Sequence, residues 1–212
     1  MSNKIAIVGI GTEVGKTLVS AITCIAFNAT YWKPIQTGYL HGKGDIDSQT
    51  VHQWTKAPIY PEAYLLQEPL SPHIAAQIDH VEIDISTIQI PKDVEGNLVI
   101  ETAGGLMVPI NDHLVYLDII QQWNIPVILT MSQYLGNINH TILSIEMLKS
   151  KNIPILGIVS NGKSLPDTNR WIEQYSKIPI VLEIPRLEKI TKEVIQDLAS
   201  QLKFNLSNHG ME

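Results

Sequence analysis

The chain has 212 residues, of which 44% are hydrophobic, a formal charge of −6 and a single cysteine, Cys24. That length allows one well-buried domain, and no run approaches the ~20 apolar residues that span a bilayer. The acidic balance argues against nucleic-acid binding through phosphate neutralisation. One cysteine excludes an intrachain disulfide, and the chain runs straight into a strand with no room for a signal peptide. The expected setting is therefore the cytoplasm, with no membrane partner.

Apolar residues at 4–8 predict a first strand, and helical spacing predicts a helix over 16–28. Between them runs Gly9-Ile10-Gly11-Thr12-Glu13-Val14-Gly15-Lys16-Thr17, a glycine-rich turn ending in Gly-Lys-Thr. Such a turn cradles phosphates with backbone N–H groups, its lysine pairs with the outer phosphates, and its threonine hydroxyl meets Mg²⁺. The helix behind adds its positive end. A common form of the motif places its first glycine at position 10; here Ile10 stands there and Gly9 lies one residue back.

A second strand is predicted over 29–33, ending in Lys33. A lysine leaving an apolar strand is costly to bury unless paired, so it is either a clamp at the ligand edge or a surface lysine with an extended stem. Asp45 and Asp47 follow Gly42-Lys43-Gly44 at the start of a helix predicted over 46–55; Asp45 is the better helix cap and Asp47 the better metal ligand. Residues 56–96 read as an irregular, proline-bearing excursion.

The run 97–101 predicts a strand ending in Glu101, followed by Thr102-Ala103-Gly104-Gly105. An acid at the end of a buried strand suits a metal site beside the phosphate loop. Helices over 113–123, 138–151, 168–177 and 188–202 alternate with strands over 125–131, 154–160 and 179–184. Pro126, Pro154 and Pro179 stand at strand entrances, where a missing N–H is tolerated. Within 138–151, Ile138, Ile142, Ile145 and Leu148, or Leu143 and Met147, fall at helical spacing. The strand runs are continuous rather than alternating, as in parallel strands buried on both faces. The expected fold is α/β: a single doubly wound domain, spanning 1–212, with a mostly parallel sheet flanked by helices and its ligand at the carboxyl ends of the strands. His73 and His140 have no partner at metal-ligand spacing and read as hydrogen-bonded residues near helix starts. Trp54, Trp123 and Trp171 read as packing residues.

Taken in order, these segments resemble the dethiobiotin synthetases, members of the phosphate-loop NTPase superfamily. The resemblance rests on the loop Gly9–Thr17, on Lys33-Pro34-Ile35-Gln36-Thr37-Gly38, on Asp47, and on Glu68-Pro69-Leu70-Ser71-Pro72-His73. It continues through Glu101-Thr102-Ala103-Gly104-Gly105 with Pro109, Leu135-Gly136-Asn137-Ile138-Asn139-His140, Val159-Ser160-Asn161 and Glu183-Ile184-Pro185-Arg186-Leu187. Five residues between the first glycine and Gly-Lys-Thr are the family's own spacing. The resemblance implies ATP- and Mg²⁺-dependent closure of 7,8-diaminopelargonate with CO₂ (supplied as bicarbonate) to dethiobiotin, by way of a carbamate and a carbamic–phosphoric anhydride.

It also implies roles. Lys33 and Lys16 are catalytic. ATP contacts fall to Glu13, Val14, Gly15, Lys16, Thr17, Leu18, Asp47, Glu101, Thr102, Ala103, Gly104, Asn161, Gly162, Pro185, Arg186 and Leu187. Mg²⁺ falls to Thr17, Asp47 and Glu101. Substrate contacts fall to Thr12, Thr37 and Pro72, and to Gly136, Asn137, Ile138 and Asn139 of the partner subunit in a homodimer. Ile10 and Gly11 replace a common Thr-Asp pair, Thr102 a glycine, and Tyr134 a basic residue of some members. Two other readings are a cobyrinate amidating synthetase, against which stand the chain length and a lone Cys24 in an apolar helix, and a non-enzymatic partitioning ATPase, against which stand Ile10 and the negative charge.

Overall fold

The computed structural model describes residues 3–40 and 46–202. In chain order the elements are β1 (Lys4–Gly9), α1 (Lys16–Phe27), β2 (Ala29–Trp32), β3 (Ile35–Gln36), α2 (Asp47–Thr55), β4 (Ile59–Tyr60), β5 (Tyr64–Leu65), α3 (Pro72–Ile78), β6 (Asn97–Gly105), α4 (Tyr116–Trp123), β7 (Val127–Ser132), α5 (Asn137–Ser150), β8 (Ile155–Asn161), α6 (Pro166–Ser176), β9 (Ile180–Ile184) and α7 (Lys192–Gln201). The six longer runs read as strands from their apolar content are all strands, because both of their faces are covered. In β1, Ile5 and Ile7 pack on one side and Ala6 and Val8 on the other; in β6, Val99 faces the first side and Leu98 and Ile100 the second.

The main sheet has the order β4-β2-β6-β1-β7-β8-β9, and every pairing in it is parallel. Residues of α1, α2 and α7 cover one face, and residues of α3, α4, α5 and α6 the other. The chain leaves β1 toward β2 on one side and later reaches β7 on the other, so β1 is the switch point where loops diverge and a ligand fits. The three prolines stand just before β7, β8 and β9, and their carbonyls still serve the sheet: Ala6 N–H bonds to Pro126, Val127 N–H to Pro154 and Ile158 N–H to Pro179, at 3.0, 2.8 and 2.8 Å.

Several expectations are corrected. The excursion at 56–96 is not structureless: β4 adds an edge to the main sheet, β5 pairs with β3 in a separate two-stranded parallel sheet, and α3 follows. These pieces are too short to carry a periodic signal. The helix expected over 113–123 starts at Tyr116, because Pro109 and Val115 first form an isolated antiparallel bridge. Trp123 and Trp54 pack against the core, but Trp171 is half exposed and stacks on Tyr175 at 5.0 Å. On α5, Ile145 and Leu148 are buried, whereas Ile138 and Leu143 face outward. Asp45 lies outside the described residues.

Gly157 in β8 exists for closeness: a Cβ there would lie 2.3 Å from a Val181 methyl on the neighbouring strand β9. Gly157→Ala is therefore expected to lose about 1–3 kcal/mol of stability through overpacking, read as a lower urea midpoint at unchanged slope.

Candidate active site

The turn joining β1 to α1 contains two left-handed residues, Glu13 (φ +58°) and Gly15 (φ +98°). Alternation of this kind lets successive backbone N–H groups face one anion. Gly15 has a second reason to be glycine: a Cβ would sit 2.2 Å from Asn161 Nδ2. That amide donates to the Val14 carbonyl at 3.0 Å, tying the end of β8 to the phosphate loop. Lys16 is buried and donates from Nζ to the Gly11 carbonyl at 2.8 Å. Burial lowers its pKa to about 8, helped by the Lys33 charge and opposed by Glu101 and Asp47.

A buried polar cluster lies beside the loop. In the β2–β6 ladder Trp32 pairs with Ile100, so Lys33, the next residue on, meets Glu101. Lys33 Nζ lies 3.2 Å from Glu101 Oε1 and also bonds Asp47 Oδ2. Burial alone would lower the Lys33 pKa, but the two carboxylates outweigh it and hold the ammonium above its ordinary value. Thr17 Oγ1 reaches Asp47 Oδ1 at 3.2 Å and Glu101 Oε1 at 3.0 Å. Behind Glu101, Ser20 Oγ and the Tyr31 hydroxyl donate to Oε2 at 3.0 and 2.8 Å. Burial pushes the Tyr31 hydroxyl well above its ordinary pKa, so it stays a donor.

Asp47 opens α2 with its backbone N–H on Gln36 Oε1, 3.2 Å away, while Gln36 Nε2 donates to the Thr37 carbonyl at 2.7 Å. Gln36 thus supplies the cap that the helix lacks from its own N-terminal residue, Ile46.

A cleft of about 350 Å³ is lined by Thr12, Glu13, Gly15, Lys16, Thr17, Lys33, Gln36, Thr37, Asp47, Glu101, Ala103 and Gly104. Val14 forms the buried floor of the turn, while the Leu18 side chain packs in the core. Thr102 turns away from the cleft and bonds the Ile7 carbonyl at 3.2 Å. Gly162 N–H donates to the Ile184 carbonyl at 2.9 Å, which brings the Asn161 loop beside Pro185, Arg186 and Leu187. Pro72 is buried as the first residue of α3 and is not among the lining residues. Gly136, Asn137, Ile138 and Asn139 start α5 and likewise do not line this chain's cleft. Asn137 is turned inward, donating to Gln133 Oε1 at 2.8 Å. The two histidines are hydrogen-bonded near helix starts, His73 to Ser71 and His140 to Tyr134.

Comparison with known proteins shows the family. A family model described as "AAA domain" matches residues 3–194. A curated ATP-dependent dethiobiotin synthetase of Chlamydia pneumoniae is 46% identical over 97% of this chain and 92% of its own length. The chain belongs to the dethiobiotin synthetase family. Another member, from Lawsonia intracellularis, is 44% identical over 91% of this chain and 92% of its own. Among solved structures, a putative plasmid partition protein of Borrelia burgdorferi bound to AMPPNP superposes with a TM-score of 0.58 at 15% identity, covering 95% of this chain and 96% of that one. The septum site-determining protein MinD of Pyrococcus horikoshii gives 0.56 at 14%, covering 96% of each chain. These two share the fold.

Within this member of the dethiobiotin synthetase family, Ser20, Tyr31 and Gln36 are the cluster residues that sequence reading missed. Signals for them existed. Thr17 and Ser20 stand three apart on one helix face, and Tyr31 and Lys33 stand two apart on one strand face. No helix among the described residues is long and apolar enough to cross a membrane.

The Lys16 shift has a stability consequence. A cation whose pKa is about 8 folded and 10.5 unfolded is charged in both states below pH 8, so the full burial penalty is present there. Between the two values the unfolded chain holds more protons, and stability rises with pH. Without nucleotide, wild type is expected to gain up to about 3 kcal/mol on Lys16→Met between pH 8 and 10.5, measured by urea unfolding of both proteins across that range.

Proposed function

We propose that this protein is a cytoplasmic, ATP-dependent dethiobiotin synthetase acting as one domain per subunit. It condenses 7,8-diaminopelargonate with CO₂ and ATP to dethiobiotin, ADP and phosphate. The observation that carries the reading is Lys33: an ammonium held in a buried site by Asp47 and Glu101, at the edge of a phosphate loop. A reaction that must hold a carbamate against ATP has a use for such a cation.

One substrate amine takes up CO₂ and loses a proton to give a carbamate. A carbamate oxygen attacks the γ-phosphorus in line and displaces ADP, giving a carbamic–phosphoric anhydride. The neighbouring amine adds to the carbonyl carbon, phosphate leaves with its C–O bond, and the ring closes with loss of a proton. The protein's part is positioning and charge stabilisation. Lys16 and the N–H groups of residues 13–17 hold the phosphates. Lys33 swings from its carboxylate partners to the carbamate and the transferring phosphoryl group. Thr12 and Thr37, both lining the cleft, hold the substrate's reacting end.

Thr17, Asp47 and Glu101 fit Mg²⁺. They form an all-oxygen set of two carboxylates and a hydroxyl within hydrogen-bond reach of one another, which suits a hard cation that keeps waters and takes phosphate oxygens. Among the described residues no group of three or more His, Cys, Asp or Glu stands ready to hold a metal alone, in keeping with a cation that arrives with its nucleotide. A Mg²⁺ ion held by these residues would supply positive charge to offset that of the nucleotide's phosphates. At the base end, Asn161 gives one amide N–H to the Val14 carbonyl, and its Oδ1 can accept from the amino group of adenine. The loop Pro185-Arg186-Leu187 walls the base.

The remaining substrate feature is a distant carboxylate on an aliphatic chain. In a homodimer the start of α5, with Gly136, Asn137, Ile138 and Asn139, reaches the partner's cleft and receives that carboxylate at a helix N-terminus. An apolar surface supports the association. A groove of about 390 Å³ runs beside the phosphate loop between Ile10, Leu106, Met107, Leu143 and Met147, of which Leu143 and Met107 stand more than half exposed. A patch of this kind marks an interaction site, and Ile10, off-pattern as a loop residue, forms part of its wall.

The test is to supply ATP, Mg²⁺, labelled bicarbonate and 7,8-diaminopelargonate and to follow label into a cyclic urea. Label is expected in dethiobiotin with one ADP formed per ring; ATP hydrolysis with no label in product overturns the reading. Lys33→Ala is expected to lower kcat by about 10²–10³-fold while leaving ATP-analogue affinity within about threefold, measured by steady-state kinetics and calorimetry.

A further inference from the structure

The two oxygens of Glu101 face different company. Oε1 meets Thr17 at 3.0 Å and Lys33 at 3.2 Å, both lining residues of the cleft that the proposed reaction redirects to Mg²⁺ and to substrate. Oε2 meets Ser20 at 3.0 Å and Tyr31 at 2.8 Å. Neither of these lines the cleft, and both are fully buried. They come from rigid elements: Ser20 sits one turn beyond Thr17 on α1, and Tyr31 lies two residues before Lys33 in β2. Ligand binding can therefore strip partners from Oε1 but not from Oε2.

We propose that Tyr31, backed by Ser20, is a positioning residue that pins Oε2 of Glu101, so that the carboxylate offers one fixed oxygen, Oε1, to the cation beside the phosphates. This rests on the assignment of Mg²⁺ to Glu101 made above. A carboxylate without the pin rotates about its last bond, and each metal-binding event then bears the cost of ordering it. It also keeps a buried lone pair short of a donor, which raises the cost of that orientation. The Tyr31 ring packs in the core between sheet and α1, so a phenylalanine fills the same volume and removes only the O–H. Among the described residues Glu101 is the side chain to which the hydroxyl donates, across 70 residues of sequence.

The experiment uses the whole chain, wild type and Tyr31→Phe, with the β,γ-imido analogue of ATP. Analogue affinity is measured calorimetrically in EDTA and across a Mg²⁺ series. Expected is an affinity in EDTA within about twofold of wild type and a Mg²⁺ midpoint raised about ten- to hundredfold, the factor that loss of one hydrogen bond to a charged group implies. Ser20→Ala is expected to shift the midpoint in the same direction, and it carries the test if Tyr31→Phe does not fold. A hydroxyl that serves only stability would lower the thermal midpoint and leave the Mg²⁺ midpoint unmoved, which overturns the inference. If wild-type affinity does not depend on Mg²⁺ at all, it is the assignment of the cation to this cleft that fails.

Discussion

Glu101 and Lys33 are charges placed where charge is expensive. One is 1% exposed and the other 7%, and a lone ion at such burial costs several kcal/mol even after relaxation. Each is tolerable because the other is there, with Asp47, Thr17, Ser20 and Tyr31 taking up the remaining hydrogen-bonding capacity. That mutual dependence constrains the fold around it. The β2–β6 register must set Lys33 opposite Glu101, α1 must present Thr17 and Ser20 on one face, and α2 must begin at Asp47 and not a turn away. A one-residue slip between β2 and β6 would turn Lys33 into the opposite face of the sheet. The cluster is thus a strong check on strand pairing as well as the proposed reaction site.

The same cluster has the arrangement that the proposed reaction needs. Lys33 and Thr17 bridge two carboxylates, so like charges that would repel are held together. Lys16 is held on the carbonyl of Gly11. Binding then exchanges partners inside a formed site, which keeps the reorganisation cost low.

Much of this was legible in the chain. Continuous apolar runs exposed the buried parallel strands, and the Gly-Lys-Thr turn placed the phosphate site between β1 and α1. Lys33 and Glu101 stood out because charge at the end of an apolar run needs a reason. Tyr31 did not stand out: an aromatic inside a strand reads as core, and its ring is core, so the hydroxyl's errand shows only once β6 is laid beside β2. Gln36 was hidden for a related reason. Its task is to cap a helix eleven residues on, and that contact is set by the return path of the chain rather than by spacing. The short strands β3, β4 and β5 escaped notice because two residues carry no period. Trp171 was misread because aromatic content signals burial only on average; its ring lies against Tyr175 on an outer helix face instead.

The bond from Asn161 to the Val14 carbonyl reaches beyond the grip on a nucleobase. It makes the residue proposed to face the base a structural member of the glycine-rich turn, with Gly15 kept bare to admit it. On that proposal, nucleobase preference and phosphate affinity are not independently evolvable traits in this chain. A substitution at 161 would loosen the turn, and a side chain at 15 would displace Asn161. Drift at either position is held in check by the other, and a change of nucleotide would have to pass through paired replacements.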